Sequence, residues 1–491
     1  MRIPIPGTRS GLAPVMLVIA LSTATSCALN PVSGEREFVM ISEAQEIEMG
    51  RQGSAEVIAS IGRVPDADLQ TYVNGIGQGM ARQSERPELA WEFHVLEDAS
   101  VNAFAMPGGY IFVTRGMLTH MMNEAQLASV LGHEIAHVTA RHSVQQMSRQ
   151  QLASLGLGLG SVLSPTIAEY GQVASLGLGL LFLSYSRSHE TQADDLGFHY
   201  ALDRGYDTRE MGKVFEMLRR DAQLAGVGRL PEWQSSHPDP GNRIQDVQRM
   251  VAASSEDFGA KRVGEDEFLR RLDGMAYGAD PRAGYFQGSL FIHPDLQFVL
   301  EFPDGWAKQN AADAVTAISP DRDAVIQLRA AQGSAADAAR RFLEQDGLQA
   351  GPPPSTGTIH GNRAVTAEFA AQGGQNESVR GIVTFIEYGG ATWGILGYTV
   401  ADRFASFSPD FSRSRESFQR LTDPAALAAE PLRVGIDRVP RAMSLQQFNS
   451  EMPSSIPLAE LALINGLDET AQLRAGQLIK RVTGTVMSSG H

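Results

Sequence analysis

The sequence predicts a multidomain chain: a mainly α domain carrying a small sheet, then an α+β domain, then a small C-terminal module. Three observations predict it. At 491 residues the chain exceeds the roughly 100–200 residues of one ordinary core. Helical periodicity dominates from about residue 40 to about residue 255, interrupted by short alternating runs, whereas β-rich runs take over between about 280 and 421. A Pro- and Ala-rich stretch then sets off the residues after about 423. The boundaries that follow are 1–27, 28–258, 259–279 as a linker, 280–424 and 425–491. With 43% hydrophobic and 20% charged residues the composition builds packed cores. A net charge of −15 with no basic cluster excludes nucleic acid as the main partner, because that binding is driven by Lys and Arg displacing counterions from phosphates.

The first 27 residues read as an export signal. Arg2 and Arg9 carry positive charge, Leu12 to Leu21 is mostly apolar and too short to span a bilayer, and small residues follow. Cys27 is the only cysteine, so it forms no internal disulfide. Ala24-Thr25-Ser26-Cys27 resembles the lipobox of bacterial lipoproteins, which implies lipidation of Cys27 and a membrane anchor. Ala28 after it is compatible with the outer membrane of a two-membrane envelope. Ala24 stands where Leu is usual, and cleavage nearby by an ordinary signal peptidase leaves a soluble exported protein instead.

Ser42 to Arg51 reads as a short acidic helix, and Trp91 to Leu96 and Gly109 to Thr114 alternate as strands. Asn123-Glu124-Ala125-Gln126 resembles a capping box, and the spacing of Leu127, Val130 and Leu131 predicts one long helix through residue 150. A near-repeat follows, Ala153 to Leu159 against Ala174 to Leu180, whose glycines lack the Lys-Ser/Thr pair of a phosphate loop. They predict closely packed or mobile helices beside a cleft. Ser186 opens another helix that ends near Gly205.

In the second domain, Phe298 to Phe302, Ala324 to Leu328 and Gly381 to Phe385 read as strands and Ala335 to Gln345 as a helix. The order of elements resembles PsbP-like domains. His293 and His360 read as structural or surface residues. In the tail, Leu458 to Leu467 followed by Leu473 to Leu478 resembles the second half of a LysM module, which implies binding to N-acetylglucosamine polymers such as peptidoglycan. The first half lacks the usual Gly-Asp-Thr-Leu stretch, and a structural or protein-binding descendant is the alternative.

The chemistry is carried by Gly132-His133-Glu134-Ile135-Ala136-His137, a His-Glu-x-x-His pattern inside the long helix. Residues four apart share a helix face, so both imidazoles reach one metal. Neutral imidazole suits Zn²⁺, and Glu134 held beside it can take a proton from a water whose pKa the ion has lowered to about 7. A catalytic zinc needs a third protein ligand and an open position. Glu190, at the start of the next helix, fits. Asp194 is four residues further on that face, placed to accept a hydrogen bond from a ligand imidazole. The rival His189 points about 100° away around the helix. The bland alternative pairs Glu190 with Arg187 on a solvated face.

These residues, with Asn102-Ala103-Phe104-Ala105, Pro107-Gly108-Gly109, Thr114-Arg115-Gly116, Ala193-Asp194, Ser236-His237-Pro238 and Arg243, resemble the CAAX-protease-type gluzincins, the HtpX/BepA-like family. The resemblance implies a zincin-type domain with one zinc ion held by His133, His137 and Glu190. It also implies a strand through Gly109 to Thr114 that pairs with extended peptide, and a periplasmic or outer-membrane role in protein quality control. The expected activity is a zinc metalloendopeptidase acting on misfolded or unassembled envelope proteins. The alternatives are a cell-wall-associated assembly factor or chaperone with a latent protease, and a zinc protein with only structural metal. For His237 three roles stay open: an oxyanion donor with Arg243, a plug in the fourth position on zinc, and a loop residue outside the site.

Overall fold

The computed structural model describes residues 27–156, 184–225, 233, 236–238, 242–311, 313–372 and 378–485. Residues 1–26 of the export signal read over residues 1–27 lie outside them, as do residues 157–159 and 174–180 of the near-repeat. Among the described residues no helix is long and apolar enough to cross a membrane.

A hairpin of β1 (Cys27–Leu29) and β2 (Arg36–Phe38) leads into α1 (Glu43–Ile61). Its start is a capping box between Ser42 and Gln45. The helix continues well past Arg51 because Gly53, Ser54 and Val57 extend its buried face. After α2 (Ala67–Ala81), capped by Asp66, comes a three-stranded sheet of β3 (Glu92–Leu96), β4 (Ala103–Met106) and β5 (Tyr110–Thr114) in the order β3-β5-β4. This corrects the expectation for Gly109 to Thr114. β5 is central, parallel to β3 and antiparallel to β4, so its backbone groups are already paired. Among the described residues the edges belong to β3 and β4.

The helix α3 (Arg115–His120) precedes α4 (Glu124–Thr139), whose first turn is capped by Asn123 Oδ1 accepting from Gln126 N. The single helix expected through residue 150 is in fact two, α4 and α5 (His142–Gly156). Arg141 breaks it in the left-handed region at φ 57°, a conformation that costs a non-glycine residue about 1–3 kcal/mol. A buried ion-pair network offsets that strain. Arg141 Nε donates to Glu46 Oε2 at 2.8 Å, Arg86 Nη1 donates to Glu46 Oε1 at 2.6 Å, and Glu46 and Arg86 are both buried.

Across α4 lies α6 (Arg187–Asp203), capped by the Ser186 hydroxyl. Two glycines set the crossing. A Cβ added to Gly197 would lie 2.6 Å from His133 N, and one added to Gly132 would lie 2.8 Å from Gly197 O. The helix backbones therefore touch where the first metal-ligand candidate sits. Two further helices, α7 (Arg209–Ala225) and α8 (Arg243–Ala253), close the domain.

Residues 259–279, expected as a linker, form α9 (Glu265–Arg271) and the short strand β6 (Ala276–Tyr277) instead. β6 pairs with β7 (Leu432–Arg438), which pairs with β8 (Leu478–Thr483), while α10 (Leu445–Glu451) and α11 (Leu458–Ile464) lie between those strands in sequence. The α+β domain is thus inserted between β6 and β7. The C-terminal module is not an isolated unit: Val434, Leu445, Phe448, Leu461 and Ile479 share one hydrophobic core with Leu118, Met121 and Phe268. Lys480 is fully buried at that seam, and its Nζ donates to Thr119 O at 2.8 Å and Met121 O at 2.7 Å.

The inserted domain is built on an eight-stranded sheet centred on Ala324–Ala331, Ala391–Val400, Ser378–Tyr388 and Asn362–Gln372. Helix Ala335–Leu343 packs on one face through Ala338 and Phe342, and helix Phe404–Ser417 covers the other together with a four-stranded sheet. His293 is half-buried, and its Nδ1 accepts from Leu296 N; exposed His360 donates to Glu416 O at 2.9 Å.

Candidate metal centre

His133, Glu134 and His137 sit on one stretch of α4 and Glu190 on the first turn of α6, all at most 2% exposed. Helical spacing brings the two imidazoles to the same side, and the glycine crossing brings Glu190 to them. His133 Nε2 and His137 Nε2 are 3.0 Å apart, and Glu190 lies 3.5 Å from the first and 3.6 Å from the second. His237, also buried, enters the same cluster. Its Nδ1 is 3.3 Å from His133 Nε2 and 3.2 Å from Glu190 Oε1. Ligand atoms of His133, His137, Glu190 and His237 all lie within 4.8 Å of one another.

The residues around the cluster fix which nitrogens face it. Asp194 Oδ1 is 2.9 Å from His133 Nδ1, so that nitrogen carries the proton and Nε2 faces the cluster. Arg243 holds Asp194 in a two-pronged pair, with Nε to Oδ2 at 2.8 Å and Nη2 to Oδ1 at 2.5 Å, and stacks its guanidinium 4.0 Å over the Phe215 ring. Tyr185 stacks on His137 at 3.9 Å and Trp233 on His237 at 4.1 Å. A cleft of about 480 Å³, lined in part by Phe215, Trp233, Arg243 and Ile244, opens beside His237.

Burial disfavours the His133 imidazolium, yet the Asp194 and Glu190 carboxylates outweigh it and hold its pKa up at about 9. Burial also acts against the Glu190 and Asp194 carboxylates. His237 beside the first, and the Arg243 guanidinium beside the second, override it and keep both below the usual range. His137 moves the other way: burial, then the charge on His133, lowers it well below its ordinary value. Glu134 is pushed up by burial, with His237 and His133 pulling only partly back. Such a carboxyl has the raised proton affinity of a general base.

The donor set fits zinc. With both Nδ1 atoms occupied by neighbours, the two Nε2 lone pairs converge on a point that only a cation or a proton makes favourable, and among the described residues Glu190 Oε2 and both Glu134 oxygens have no hydrogen-bond partner. Two imidazoles and a carboxylate form a three-ligand catalytic set. Bound there, zinc would polarise a carbonyl and activate water.

Of the residues singled out from sequence, His133, Glu134, His137, Glu190, Asp194, His237 and Arg243 are brought together here. His189, the rival ligand, is not. Its ring stacks on His142 at 4.3 Å instead. Sequence reading missed His142, Tyr185 and Trp233. His142 follows His137 by five residues, a spacing with no helical meaning, and it reaches the site only because Arg141 turns the chain. Tyr185 and Trp233 are aromatic residues that nothing in a single sequence distinguishes from core.

Residues 67–251 match the profile of Peptidase family M48. The beta-barrel assembly-enhancing protease of Escherichia coli is 29% identical over 257 residues, covering 49% of this chain and 52% of that protein. The mitochondrial metalloendopeptidase OMA1 of Schizosaccharomyces pombe is 31% identical over 231 residues, covering 45% of this chain and 65% of that one. The chain thus spans about half the length of the first of these relatives. Among solved structures, cyanobacterial PsbP from Synechocystis is 18% identical, covers 27% of this chain and 93% of its own, and gives a TM-score of 0.23. The profile match begins at the start of α2 and ends in α8, so the similarity to Peptidase family M48 falls on the part of the chain that encloses every element building the cluster.

Proposed function

We propose that the chain is a zinc metalloendopeptidase in which His133, His137 and Glu190 hold one zinc ion, Asp194 orients His133, and Glu134 is the general base. The observation that carries this reading is the convergence of two Nε2 lone pairs and Glu190 beside a buried Glu134 whose oxygens have no hydrogen-bond partner among the described residues. Glu134 accepts the proton of the attacking water and passes it to the leaving amine. Arg243 is held by Asp194 and Phe215, with Nη1 3.6 Å from Glu190 Oε2, which supports a clamp rather than an oxyanion donor.

The substrate class in this reading is unassembled or misfolded envelope proteins, met as extended segments in the cleft; a beta-barrel assembly-enhancing protease among the relatives is in keeping with it. The edge of β4, which pairs with no further strand among the described residues and lies beside α4, suits pairing with such a segment by strand addition. Export to the periplasm and anchoring of Cys27 in the outer membrane complete the reading. For the C-terminal module, a structural role stands ahead of peptidoglycan binding, because its core is continuous with that of the peptidase helices. A second reading, an assembly factor whose protease is latent, is favoured by His237 lying among the ligands. There its imidazole fills the fourth position until the loop moves.

The test is digestion of an unfolded protein such as casein by the full chain. Hydrolysis abolished by a zinc chelator and restored by zinc is expected. Hydrolysis insensitive to chelator would overturn the reading. Fractionation addresses the anchor: wild type in the membrane fraction and Cys27→Ser in the soluble fraction are expected, and a soluble wild type contradicts it.

A further inference from the structure

The two ligand imidazoles are oriented by different means. His133 has Asp194 behind it, held in turn by Arg243. Behind His137, among the described residues, stands an imidazole and no carboxylate. Its Nδ1 lies 2.9 Å from His142 Nδ1, and His142 Nε2 lies 3.0 Å from Gln192 Oε1. His142 is fully buried, and its ring is held in plane by His189 stacked at 4.3 Å with 10° between the rings.

These contacts have a direction. A neutral imidazole has one N–H and one bare nitrogen, so a contact between two ring nitrogens holds only if one donates and the other accepts. His137 turns Nε2 toward His133 and Glu190. To bind metal there it must be bare at Nε2 and carry its proton on Nδ1. His142 Nδ1 must then accept. Its own proton is left on Nε2, where the Gln192 carbonyl oxygen takes it. The opposite direction puts the proton of His137 on Nε2, inside the cluster, where it blocks coordination.

We propose that His142, set by Gln192, is a positioning residue that holds His137 in its metal-binding tautomer. It is the counterpart of the Asp194–Arg243 pair behind His133. The proposal rests on the zinc-peptidase reading above and concerns this chain's own hydrogen bonds. Because the acceptor is a neutral nitrogen, His142 fixes orientation without adding negative charge near the metal. That charge is supplied by Glu190 and Asp194.

The test is zinc affinity of the apo full-length protein, measured by competition with a chromophoric chelator, together with the visible absorption of the Co²⁺-substituted protein. His142→Phe keeps the ring's volume and removes the acceptor, and zinc affinity is expected to fall about 10–100-fold with an altered Co²⁺ spectrum. His142→Asn places an amide oxygen near the lost Nδ1, and it is expected to recover most of the affinity. Wild-type affinity in His142→Phe, or equal losses in Phe and Asn variants that melt like the wild-type apo protein, would overturn the proposal. If His142→Phe lowers the melting temperature of the apo protein, the half-buried Gln192→Met carries the test. A several-fold loss of zinc affinity is expected there, and an unchanged affinity overturns the idea. A wild-type chain that binds no zinc would instead overturn the peptidase reading itself.

Discussion

At the scale of single residues, the cluster pairs groups whose environments push them in opposite directions. Glu134 and Glu190 are both fully buried on facing helices. Glu190 is held ionised by His237 and His133, while Glu134, farther from compensating charge, is raised. One is suited to stay on a metal and the other to take up a proton. His237 is the residue whose role the geometry sharpens most. Stacked on Trp233, it directs Nδ1 at the ligands, and its Nε2 lies 3.7 Å from Glu134 Oε1. If it plugs the fourth position, His237→Ala raises basal turnover of an unfolded substrate at saturating zinc by well over about twofold. A fall returns His237 to the oxyanion role. No change removes it from the site.

At the scale of elements, the legible parts were those with a strong local signal. The His-Glu-x-x-His face, the Asn123 cap of α4, the start of α6 at Ser186, and Glu190 with Asp194 one turn apart were all readable as helix chemistry. Strands Trp91 to Leu96 and Gly109 to Thr114 were also found, but their order was not, because alternation says nothing about which neighbour a strand takes. The break at Arg141 was invisible for a similar reason. Nothing local disfavours helix there, and the left-handed turn is held by Glu46, far away in sequence. The crossing of α4 and α6 depends on Gly132 and Gly197, whose meaning emerges only once two backbones are seen to touch. Gly197→Ala would put a methyl 2.6 Å from His133 N. Backbone cannot yield as a side chain can, so a loss of about 1–3 kcal/mol is expected on chemical denaturation, with weaker zinc binding as Glu190 is pushed from the histidines. Unchanged stability and affinity would contradict the crossing.

At the scale of the whole molecule, the helical domain that carries the cluster and the C-terminal module share one core, with an α+β domain inserted between β6 and β7. Composition shifts set residues 280–424 apart in the sequence. They could not reveal that Ala276 and Tyr277 join a sheet with Leu432 and Arg433, because such long-range pairing leaves no periodicity in sequence. The seam has its own signature in Lys480, whose pKa burial drives well below 10.5. Lys480→Met keeps the stem but leaves the carbonyls of Thr119 and Met121 without their donor, an expected loss of about 1–3 kcal/mol. An amine with its folded-state pKa depressed is less protonated in the folded chain than in the unfolded one. Its contribution therefore grows as pH rises toward 10.5 and is lost as pH falls through the folded value. The stability gap between wild type and Lys480→Met should accordingly widen from pH 7 to pH 10 in urea titrations, and a gap that narrows would contradict the buried amine. The central claim, that this chain hydrolyses peptide bonds with a zinc ion on α4 and α6 and Glu134 as base, is tested most directly by Glu134→Gln in the full chain, with zinc content and turnover measured on the same sample. One zinc per chain with turnover down about 10²–10⁴-fold is the predicted result, and a zinc-loaded variant as active as wild type would contradict it.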